Sequence, residues 1–235
     1  SAKGQAMTSS SSRKCIGVIG AGITGLTAAY RLLEAGLDVI VLESTLKPGG
    51  LVSSLQLGGE PIESIYHHIF TSDSLVTALA DEMGIGDDLS WYPSQEAIYA
   101  GGHLYPFATP VDLLRFGEIS LAERLRTGLT VLRAGRLKDW QALEGQTAAA
   151  WLRREGGQQA FEKLWKPLLY SKFESDADDV SAVWIWNKFK LRGHSREKTG
   201  RAQLGYLRGG FGQLAARLAT TVTARGGQIR YGHTA

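Results

Sequence analysis

The stretch that decides the fold is Cys15-Ile16-Gly17-Val18-Ile19-Gly20-Ala21-Gly22-Ile23-Thr24-Gly25. Its first five residues form a short apolar run of the kind that makes a buried parallel strand. From Ile23 to Leu33 apolar residues recur at helical spacing, and Gly36 is placed to end the helix. A second apolar run, Val39 to Leu42, ends at Glu43. A strand, a helix and a strand in this order predict a right-handed βαβ unit with a parallel sheet.

Three glycines form a Gly-x-Gly-x-x-Gly motif directly after the first strand and at the start of the helix, which is the context that makes the motif specific. Gly20 permits the tight turn, Gly22 lets the backbone approach a pyrophosphate, and Gly25 lets the helix pack close to the strand. The free N–H groups of the helix N-terminus attract phosphates. A dinucleotide is therefore expected to bind at Gly20, Ala21, Gly22, Ile23, Thr24 and Gly25. The alternative is that the glycines only make a tight connection.

Glu43 lies at the end of the second strand, where a carboxylate can accept hydrogen bonds from a ribose diol. A carboxylate at this position would also repel a 2′-phosphate, which argues against NADP. The glycine motif alone does not separate NAD from FAD, because the two dinucleotides share the same ADP half.

The segment that follows separates the two cofactors. Residues 43–54, Glu-Ser-Thr-Leu-Lys-Pro-Gly-Gly-Leu-Val-Ser-Ser, resemble the second glycine motif of the FAD-dependent amine oxidase, protoporphyrinogen oxidase and phytoene desaturase superfamily. That superfamily commonly has arginines where this chain has Lys47 and Leu51. The resemblance implies FAD as the cofactor, and it adds Ser44, Lys47, Gly49, Gly50 and Leu51 to the cofactor-binding residues. A Pro-Gly-Gly surface turn is the alternative.

The resemblance continues along the chain. Residues 61–73 are similar to the segment that passes the flavin, and residues 209–231 are similar to the helix and strand that return the chain to the nucleotide-binding domain. In the superfamily the chain continues with further strands and a late Gly-Asp segment that holds the flavin, and nothing here resembles that segment. We therefore expect a chain truncated at its carboxyl end, with weakened or absent FAD binding.

The predicted fold class is α/β, with a Rossmann-type FAD-binding domain and a largely helical substrate-domain insertion. Residues 1–13 are expected to be a tag or disordered, 14–72 to begin the FAD-binding domain, 73–204 to form the mostly helical region, and 205–235 to return to the first domain. Helices are predicted over 74–83, 111–137 as two helices, 147–154, 158–169, 180–189 and 212–225, with a hairpin over 98–107 and a strand over 228–231.

The predicted function is an FAD-dependent oxidoreductase of the oxidase or desaturase kind. Hydride would pass from a C–H bond of a small organic substrate to the flavin N5 atom. His67 and His68 are candidates for contact with the flavin or for proton transfer. The alternative is a pair of structural histidines at a strand end, with Glu63 anchoring the local backbone.

A second candidate function comes from residues 67–71, His-His-Ile-Phe-Thr, which resemble a segment of UDP-galactopyranose mutases. A sugar diphosphate would require basic residues, and the chain has a basic stretch at Lys188, Lys190, Arg192, Arg196, Lys198 and Arg201. The alternative for Lys188 and Lys190 is that they only complement a helix dipole. A truncated nucleotide-binding scaffold without activity is the third candidate, and an NAD-dependent dehydrogenase is disfavoured by the Gly49-Gly50 doublet.

Leucines and arginines alternate through the stretch Val111 to Lys138. This pattern suits a basic amphipathic helix on a membrane surface, and it also suits a helix with core on one side and solvent on the other. The second arrangement is the more common.

The overall composition excludes several classes of protein. A balance of 26 basic and 23 acidic residues gives no nucleic-acid signature. The one cysteine, Cys15, and the five histidines offer no metal-ligand spacing, so no metal site is expected. No apolar run is long enough to span a bilayer, and a cytoplasmic location is expected. The sequence leaves the substrate, the electron acceptor and the oligomeric state open.

Overall fold

The computed structural model describes residues 14–194 and 202–234. The strands are β1 (Cys15–Ile19), β2 (Asp38–Glu43), β3 (Ser54–Leu57), β4 (Glu60–Glu63), β5 (Ile69–Phe70), β6 (Leu89–Pro93), β7 (Ala97–Ala100), β8 (His103–Pro106), β9 (Gln203–Leu207) and β10 (Gln228–Tyr231). The helices are α1 (Ile23–Glu34), α2 (Ser74–Glu82), α3 (Pro110–Arg115), α4 (Leu121–Arg136), α5 (Ala148–Gly156), α6 (Gln158–Ala160), α7 (Lys166–Phe173), α8 (Ala182–His194) and α9 (Gly212–Ala224).

These elements form two compact units. Unit 1 comprises the described residues of Ser1–His68, Leu75–Ser90 and Tyr206–Ala235, and unit 2 those of Ile69–Ser74 and Trp91–Gly205. The boundaries at Ser90 and Gly205 fall inside β6 and β9, which lie in a three-stranded sheet of order β5-β9-β6.

Unit 1 is built on a parallel sheet of order β1-β2-β10. Cys15 pairs with Asp38 at one end of the register, and Ile40 pairs with Gln228 on the other side of β2. Helices α1 and α9 contribute the buried apolar residues Leu26, Ala29, Leu214, Leu218 and Val222. The βαβ unit and the α/β fold class predicted from residues 15–43 are therefore confirmed. The prediction that the first strand is buried is wrong, since Ile19 is 76% exposed and no residue of β1 is buried.

Helix α2 belongs to unit 1, whereas the predicted division places residues 73–204 in the helical region. An exposed ion pair between Arg31 Nη2 and Glu82 Oε1, 2.8 Å apart, ties the end of α2 to α1. The hydroxyl of Thr221 in α9 lies 3.6 Å from Met83 Sδ. Both contacts join residues far apart in sequence, so the local apolar periodicity does not predict that α2 packs in unit 1.

Two apolar clusters lie among the described residues of unit 2. The larger combines residues of α4, α5, α7 and α8, and its fully buried members include Leu152, Phe161, Leu169 and Ile185. Trp186 closes this cluster by donating its indole N–H to the carbonyl oxygen of Ala134 at 2.9 Å. The smaller cluster consists of Phe116, Ile119, Ala160 and Leu164. The predicted hairpin is present as β7 and β8, and its turn is Gly101-Gly102 with φ of +55° and +80°.

The predicted helix over 158–169 is interrupted. Residues Phe161–Trp165 form a π-helical turn between α6 and α7. Pro167 explains it, because proline lacks a backbone N–H and its ring crowds the carbonyl group of Lys163, four residues earlier. The wider π turn relieves that crowding. The predicted helix is therefore present, and the π-helical turn is the feature that apolar spacing alone did not indicate.

Helix α4 does not follow the common amphipathic arrangement. Its leucines at 121, 125, 129 and 132 lie in solvent, while Thr127, Thr130 and Ala134 are buried. The expectation of leucines on a core-facing side is therefore wrong for α4. No described helix is both long enough and apolar enough to cross a membrane.

Candidate dinucleotide-binding site

The connection from β1 to α1 has the geometry that a pyrophosphate turn needs. Gly20 has φ of +93°, a conformation that favours glycine. A Cβ atom on Gly25 would lie 2.0 Å from the carbonyl oxygen of Gly20, so only glycine fits where the helix passes the turn. A Cβ atom on Gly22 would meet no atom within 4 Å. The space in front of Gly22 is therefore open to a ligand that approaches the backbone.

The N-terminus of α1 has donors available for that ligand. Gly22 is the N-cap residue, no side chain caps the helix, and its first turn contains no acidic residue. The first helical bond runs from Leu26 N to Gly22 O at 2.9 Å. The N–H groups of the first turn have no intrahelical acceptor and, with the helix dipole, favour an anion.

Glu43 is buried and fixes the shape of the turn. Its Oε2 atom accepts the N–H of Ala21 at 2.7 Å, and its Oε1 atom accepts the N–H and the hydroxyl of Thr45, each at 2.8 Å. Ser44 Oγ lies 3.4 Å from Oε1. These donors hold the pKa of the Glu43 carboxyl below its usual range, the backbone N–H groups of Thr45 and Ala21 being the main cause. Oε2 has acceptor capacity left for a ribose hydroxyl.

The second glycine motif lies against the first. Gly49 donates its N–H to the carbonyl oxygen of Ala21 at 2.9 Å and forms a parallel bridge with Gly22. Gly49 and Gly50 have φ of +129° and +54°, and a Cβ atom on Gly50 would contact Gly22 Cα at 3.4 Å. Two segments about 25 residues apart thus form one glycine-lined surface of the kind that lets a dinucleotide approach closely.

Two of the predicted cofactor-binding residues, Lys47 and Leu51, lie outside the glycine-lined surface. Lys47 donates its Nζ hydrogen to the carbonyl oxygen of Ser54 at 2.8 Å, and so fastens the second glycine motif to β3. Leu51 is exposed at 70% and packs into no core. The roles of Ser44, Lys47 and Leu51 toward the cofactor stay predictions.

Phe211 is a residue near the site that no sequence motif indicated, and Glu63 holds its backbone. Glu63 Oε1 accepts the N–H of Phe211 at 2.8 Å, and Oε2 accepts the N–H of His67 at 3.4 Å. Added Cβ atoms on Gly210 and Gly212 would lie 3.1 Å from Glu63 Cγ and 2.7 Å from Ser54 Oγ. The glycines within residues 209–212 are the sequence feature that could have indicated this contact, because glycine lets two backbones approach closely. Glu63 does anchor the local backbone, as the alternative predicted.

The two histidine candidates have different surroundings. His67 Nδ1–H donates to the carbonyl oxygen of Ile65 at 2.5 Å, so part of its ring is committed to backbone. The His68 ring lies 5.3 Å from that of Tyr66, whose hydroxyl is hydrogen-bonded to the hydroxyl of Tyr206. Burial, and then the bond to Tyr66, raise the pKa of Tyr206 to about 12. A proton-transfer role for His67 or His68 stays a prediction.

The basic stretch proposed for a sugar diphosphate is only partly described. Lys188 Nζ lies 5.6 Å from the ring centroid of Trp184, and Lys190 Nζ lies 4.8 Å from that of Trp186. The side chain of Arg192, together with Arg196, Lys198 and Arg201, lies outside the described residues. The two described lysines thus cover tryptophans of their own helix.

The parallel sheet, the open glycine turn and the strand-end carboxylate define a Rossmann-type dinucleotide-binding protein. The family model described as flavin containing amine oxidoreductase matches residues 23–234, and the chain belongs to that family. The superfamily predicted from residues 43–54 is therefore confirmed, and with it FAD as the cofactor. The turn fits the ADP half of this dinucleotide, because a Cβ atom on Gly22 would meet no atom within 4 Å and the space in front of the backbone is open.

The proteins that this chain resembles in sequence include two porphyrinogen-oxidising enzymes. The chain is 30% identical over 190 residues to the coproporphyrinogen III oxidase of Staphylococcus aureus, across 75% of this chain and 40% of that protein. It is 28% identical over 191 residues to the mitochondrial protoporphyrinogen oxidase of Nicotiana tabacum, across 78% of this chain and 38% of that protein. The chain thus spans about two fifths of the length of these relatives.

Solved structures support the same fold. An oxidoreductase from Methanosarcina mazei superposes with a TM-score of 0.64 at 19% identity, across 93% of this chain and 51% of that chain. A reduced UDP-galactopyranose mutase superposes with a TM-score of 0.65 at 18% identity, across 94% of this chain and 48% of that chain. At these identities the likeness shows the shared fold alone.

Proposed function

We propose that the whole protein is an FAD-dependent oxidoreductase and that this chain supplies the half of the site that holds the ADP part of the cofactor. The observation that supports this most directly is the open backbone of Gly22 at an uncapped helix N-terminus, beside Gly49. The chemistry that FAD supplies when bound is acceptance of a hydride from a C–H bond of an organic substrate.

The residues of this chain have binding and positioning roles in the proposal. The first-turn N–H groups of α1 hold the pyrophosphate, and Oε2 of Glu43 receives a ribose hydroxyl. Glu63 holds the Phe211 backbone against β4, so that the segment 209–212 keeps a fixed place beside Ser54. His67, His68 and Tyr206 are the polar groups near Glu63 that would orient a substrate.

The proposed substrate is a small molecule of the porphyrinogen class. The support is the identity of 30% and 28% to two porphyrinogen-oxidising enzymes, against 25% to a probable zeta-carotene desaturase of Synechococcus elongatus. The appearance of porphyrin fluorescence from a porphyrinogen, with the whole protein and FAD, tests this. Oxidation of a carotene or an amine instead would contradict the substrate class while leaving the flavin chemistry intact. We also propose a cytoplasmic location, in keeping with the single cysteine at Cys15.

The cofactor proposal predicts that Gly22→Val weakens FAD binding by at least about tenfold, because a branched side chain would fill the space that the pyrophosphate needs. The measurement is the flavin absorbance that the chain retains after incubation with FAD and desalting, together with a titration of flavin fluorescence. Gly17→Ala is the matched control, since its added Cβ would also meet no atom within 4 Å but lies inside β1. Equal FAD binding by the parent and the Gly22 variant would overturn the proposed binding mode.

A further inference from the structure

The carboxyl ends of α1 and α9 are joined by one ionic cluster. Glu34, the last residue of α1, accepts a hydrogen bond from Arg31 Nη1 at 2.8 Å and another from Arg225 Nη1 at 3.0 Å. Arg225 directly follows α9 and lies 191 positions from Glu34 in the chain. These three residues and Tyr30 are called the Glu34 cluster. It fastens the helix that precedes β2 to the helix that precedes β10.

Tyr30 lies in the middle of this cluster and is buried. The guanidinium carbons of Arg31 and Arg225 lie 4.8 and 4.4 Å from the centroid of its ring, and Arg225 Nη2 lies 3.4 Å from its hydroxyl oxygen. Two guanidinium groups beside one ring repel each other, and the carboxylate of Glu34 offsets that repulsion because it is bonded to both. A single exposed ion pair contributes little. Arg225 is held more firmly, by an ion pair, an aromatic contact and a hydrogen bond together.

The two helices lead into their strands through equivalent connections. Helix α1 is followed by residues 35–37 and α9 by residues 225–227, and the middle residue of each is a glycine with φ of +78° and +90°. A Cβ atom on Gly227 would lie 3.0 Å from Leu33 Cδ1, so the two connections lie against each other. The Glu34 cluster therefore bridges matching places, one at the entry to β2 and the other at the entry to β10.

Strand β10 carries little of its own that fixes its pairing with β2. Of its four residues Gln228 and Arg230 are exposed, and Ile229 and Tyr231 are half-buried. A shift by two residues would keep every side chain on its own face of the sheet, so this alternation does not exclude such a shift. The two glycines before the strand also permit it, because glycine has the largest conformational freedom. The observed register, with Gln228 opposite Ile40, needs another cause.

We propose that the Glu34 cluster sets the register of β10 on β2. Arg225 stands directly before the two glycines, so its attachment to α1 fixes the point from which the strand starts. A shift by two residues moves the strand by about 6.6 Å and carries Arg225 away from Glu34. Ionic groups that specify one register among several are the best-attested case of such a role.

The register matters at the other end of the strand. The N–H of Gly232 donates to the carbonyl oxygen of Thr45 at 3.1 Å, and the N–H of His233 donates to that of Glu43 at 2.9 Å. A shifted strand loses both bonds. The Glu34 cluster is therefore a positioning device for the segment that follows β2, and the inference does not rest on the proposed cofactor.

Disulfide trapping in the full 235-residue chain tests the register. In a Cys15→Ser background, Leu42→Cys with Arg230→Cys places two thiols directly opposite each other. Leu42→Cys with Gln228→Cys, and Ile40→Cys with Arg230→Cys, become opposite only after a shift by two residues in one direction or the other. Opposite residues are about 4.8 Å apart and can be bridged, whereas those two positions out of register are about 8 Å apart and cannot. The measured quantity is the oxidised fraction of each pair at equilibrium in a glutathione buffer, by mass spectrometry after alkylation of free thiols.

The parent background is expected to oxidise the native pair and neither shifted pair. Arg225→Ala is expected to raise the oxidation constant of a shifted pair, relative to the native pair, by at least about tenfold, since it removes the ion pair and the aromatic contact. Glu34→Ala is expected to act in the same direction, because it releases Arg225.

Two control variants separate register from stability. Arg217→Ala removes an exposed arginine of α9 that makes no ion pair within the described part of the chain. Glu82→Ala removes the other carboxylate bonded to Arg31, at 2.8 Å, and leaves Arg225 in place. Both are expected to keep the oxidation ratio of the parent, although Glu82→Ala loses an ion pair.

Hydrogen exchange gives a second measurement, on chains without added cysteines. Arg225→Ala is expected to lower the protection of the Gly232 and His233 N–H groups by at least about tenfold relative to that of Gly20, which donates to Leu42 on β2 at 2.7 Å. Arg217→Ala is again expected to leave this ratio unchanged.

Four results would overturn the proposal. They are a parent chain that oxidises native and shifted pairs equally, shifted pairs no more oxidised in Arg225→Ala than in Arg217→Ala, an equal effect of Glu82→Ala, and an unchanged ratio of hydrogen-exchange protection. All measurements are made without FAD. Failure here therefore leaves the oxidoreductase proposal intact, and failure of FAD binding leaves the register proposal intact.

Discussion

Replacement of Gly25 by alanine is expected to lower the free energy of unfolding of this chain by about 3 kcal/mol or more. The added methyl carbon would lie 2.0 Å from the carbonyl oxygen of Gly20 and 3.4 Å from Val18 Cγ1. The oxygen belongs to a backbone turn and cannot rotate away, so α1 would have to move off β1. Urea unfolding followed by circular dichroism measures the loss.

The control for this prediction is Gly22→Ala, three residues earlier. Its Cβ atom would meet nothing within 4 Å, so the expected change is no more than about 1 kcal/mol, from the poorer N-cap. The comparison separates the packing glycine from the ligand-facing glycine of the same motif. If the two variants unfolded at the same urea concentration, the close contact of α1 with the turn would be refuted.

Replacement of Glu43 by alanine is expected to cost about 3 kcal/mol of stability, because buried donors lose their acceptor. The N–H of Ala21 is fully buried and would be left without a partner, whereas Thr45 is exposed and can turn to water. Glu43→Gln keeps one acceptor oxygen and is expected to lose less. Glu60→Ala, at an exposed strand start, is the control and should change stability little. A Glu43→Ala variant as stable as the control would contradict the buried network.

The effect of Glu43 also depends on pH. The pKa of this carboxyl is lowered in the folded chain by the N–H groups of Thr45 and Ala21, so folding favours the ionised form. Its stabilisation is therefore complete above the ordinary glutamate pKa of about 4.3 and is lost as pH falls through the lowered value. The stability difference between the parent and Glu43→Gln is expected to shrink in urea titrations from neutral pH to about pH 3. A difference independent of pH would argue against the ionised carboxylate.

The sequence predicted the nucleotide-binding part well for a physical reason. Strand β1, helix α1 and strand β2 are adjacent in the chain, so their apolar periods and glycines report directly on packing that is local. The Gly-Gly turn of the hairpin at residues 101–102 was predictable for the same reason, since a turn with positive φ favours glycine at those positions.

Other features depend on partners distant in sequence. The hydrogen bond from Phe211 N–H to Glu63 and the one between the hydroxyls of Tyr66 and Tyr206 join residues more than 130 positions apart, and a single sequence does not pair them. The sequence also did not predict that the leucines of α4 face solvent, because the spacing of apolar residues alone does not say which side of a helix meets the core. Threonine and alanine on the buried side reversed the usual arrangement.

The order of the parallel sheet has a consequence for synthesis on the ribosome. Strand β2 ends at Glu43, and its partner β10 begins at Gln228, so the sheet stays unfinished until nearly the whole described chain has emerged. All residues of unit 2 precede Tyr206. Closing so long a loop is slow relative to local contacts, and domains generally fold as units as the chain is made. Translation therefore favours folding of the helical unit before β10 joins β2 beside the glycine turns.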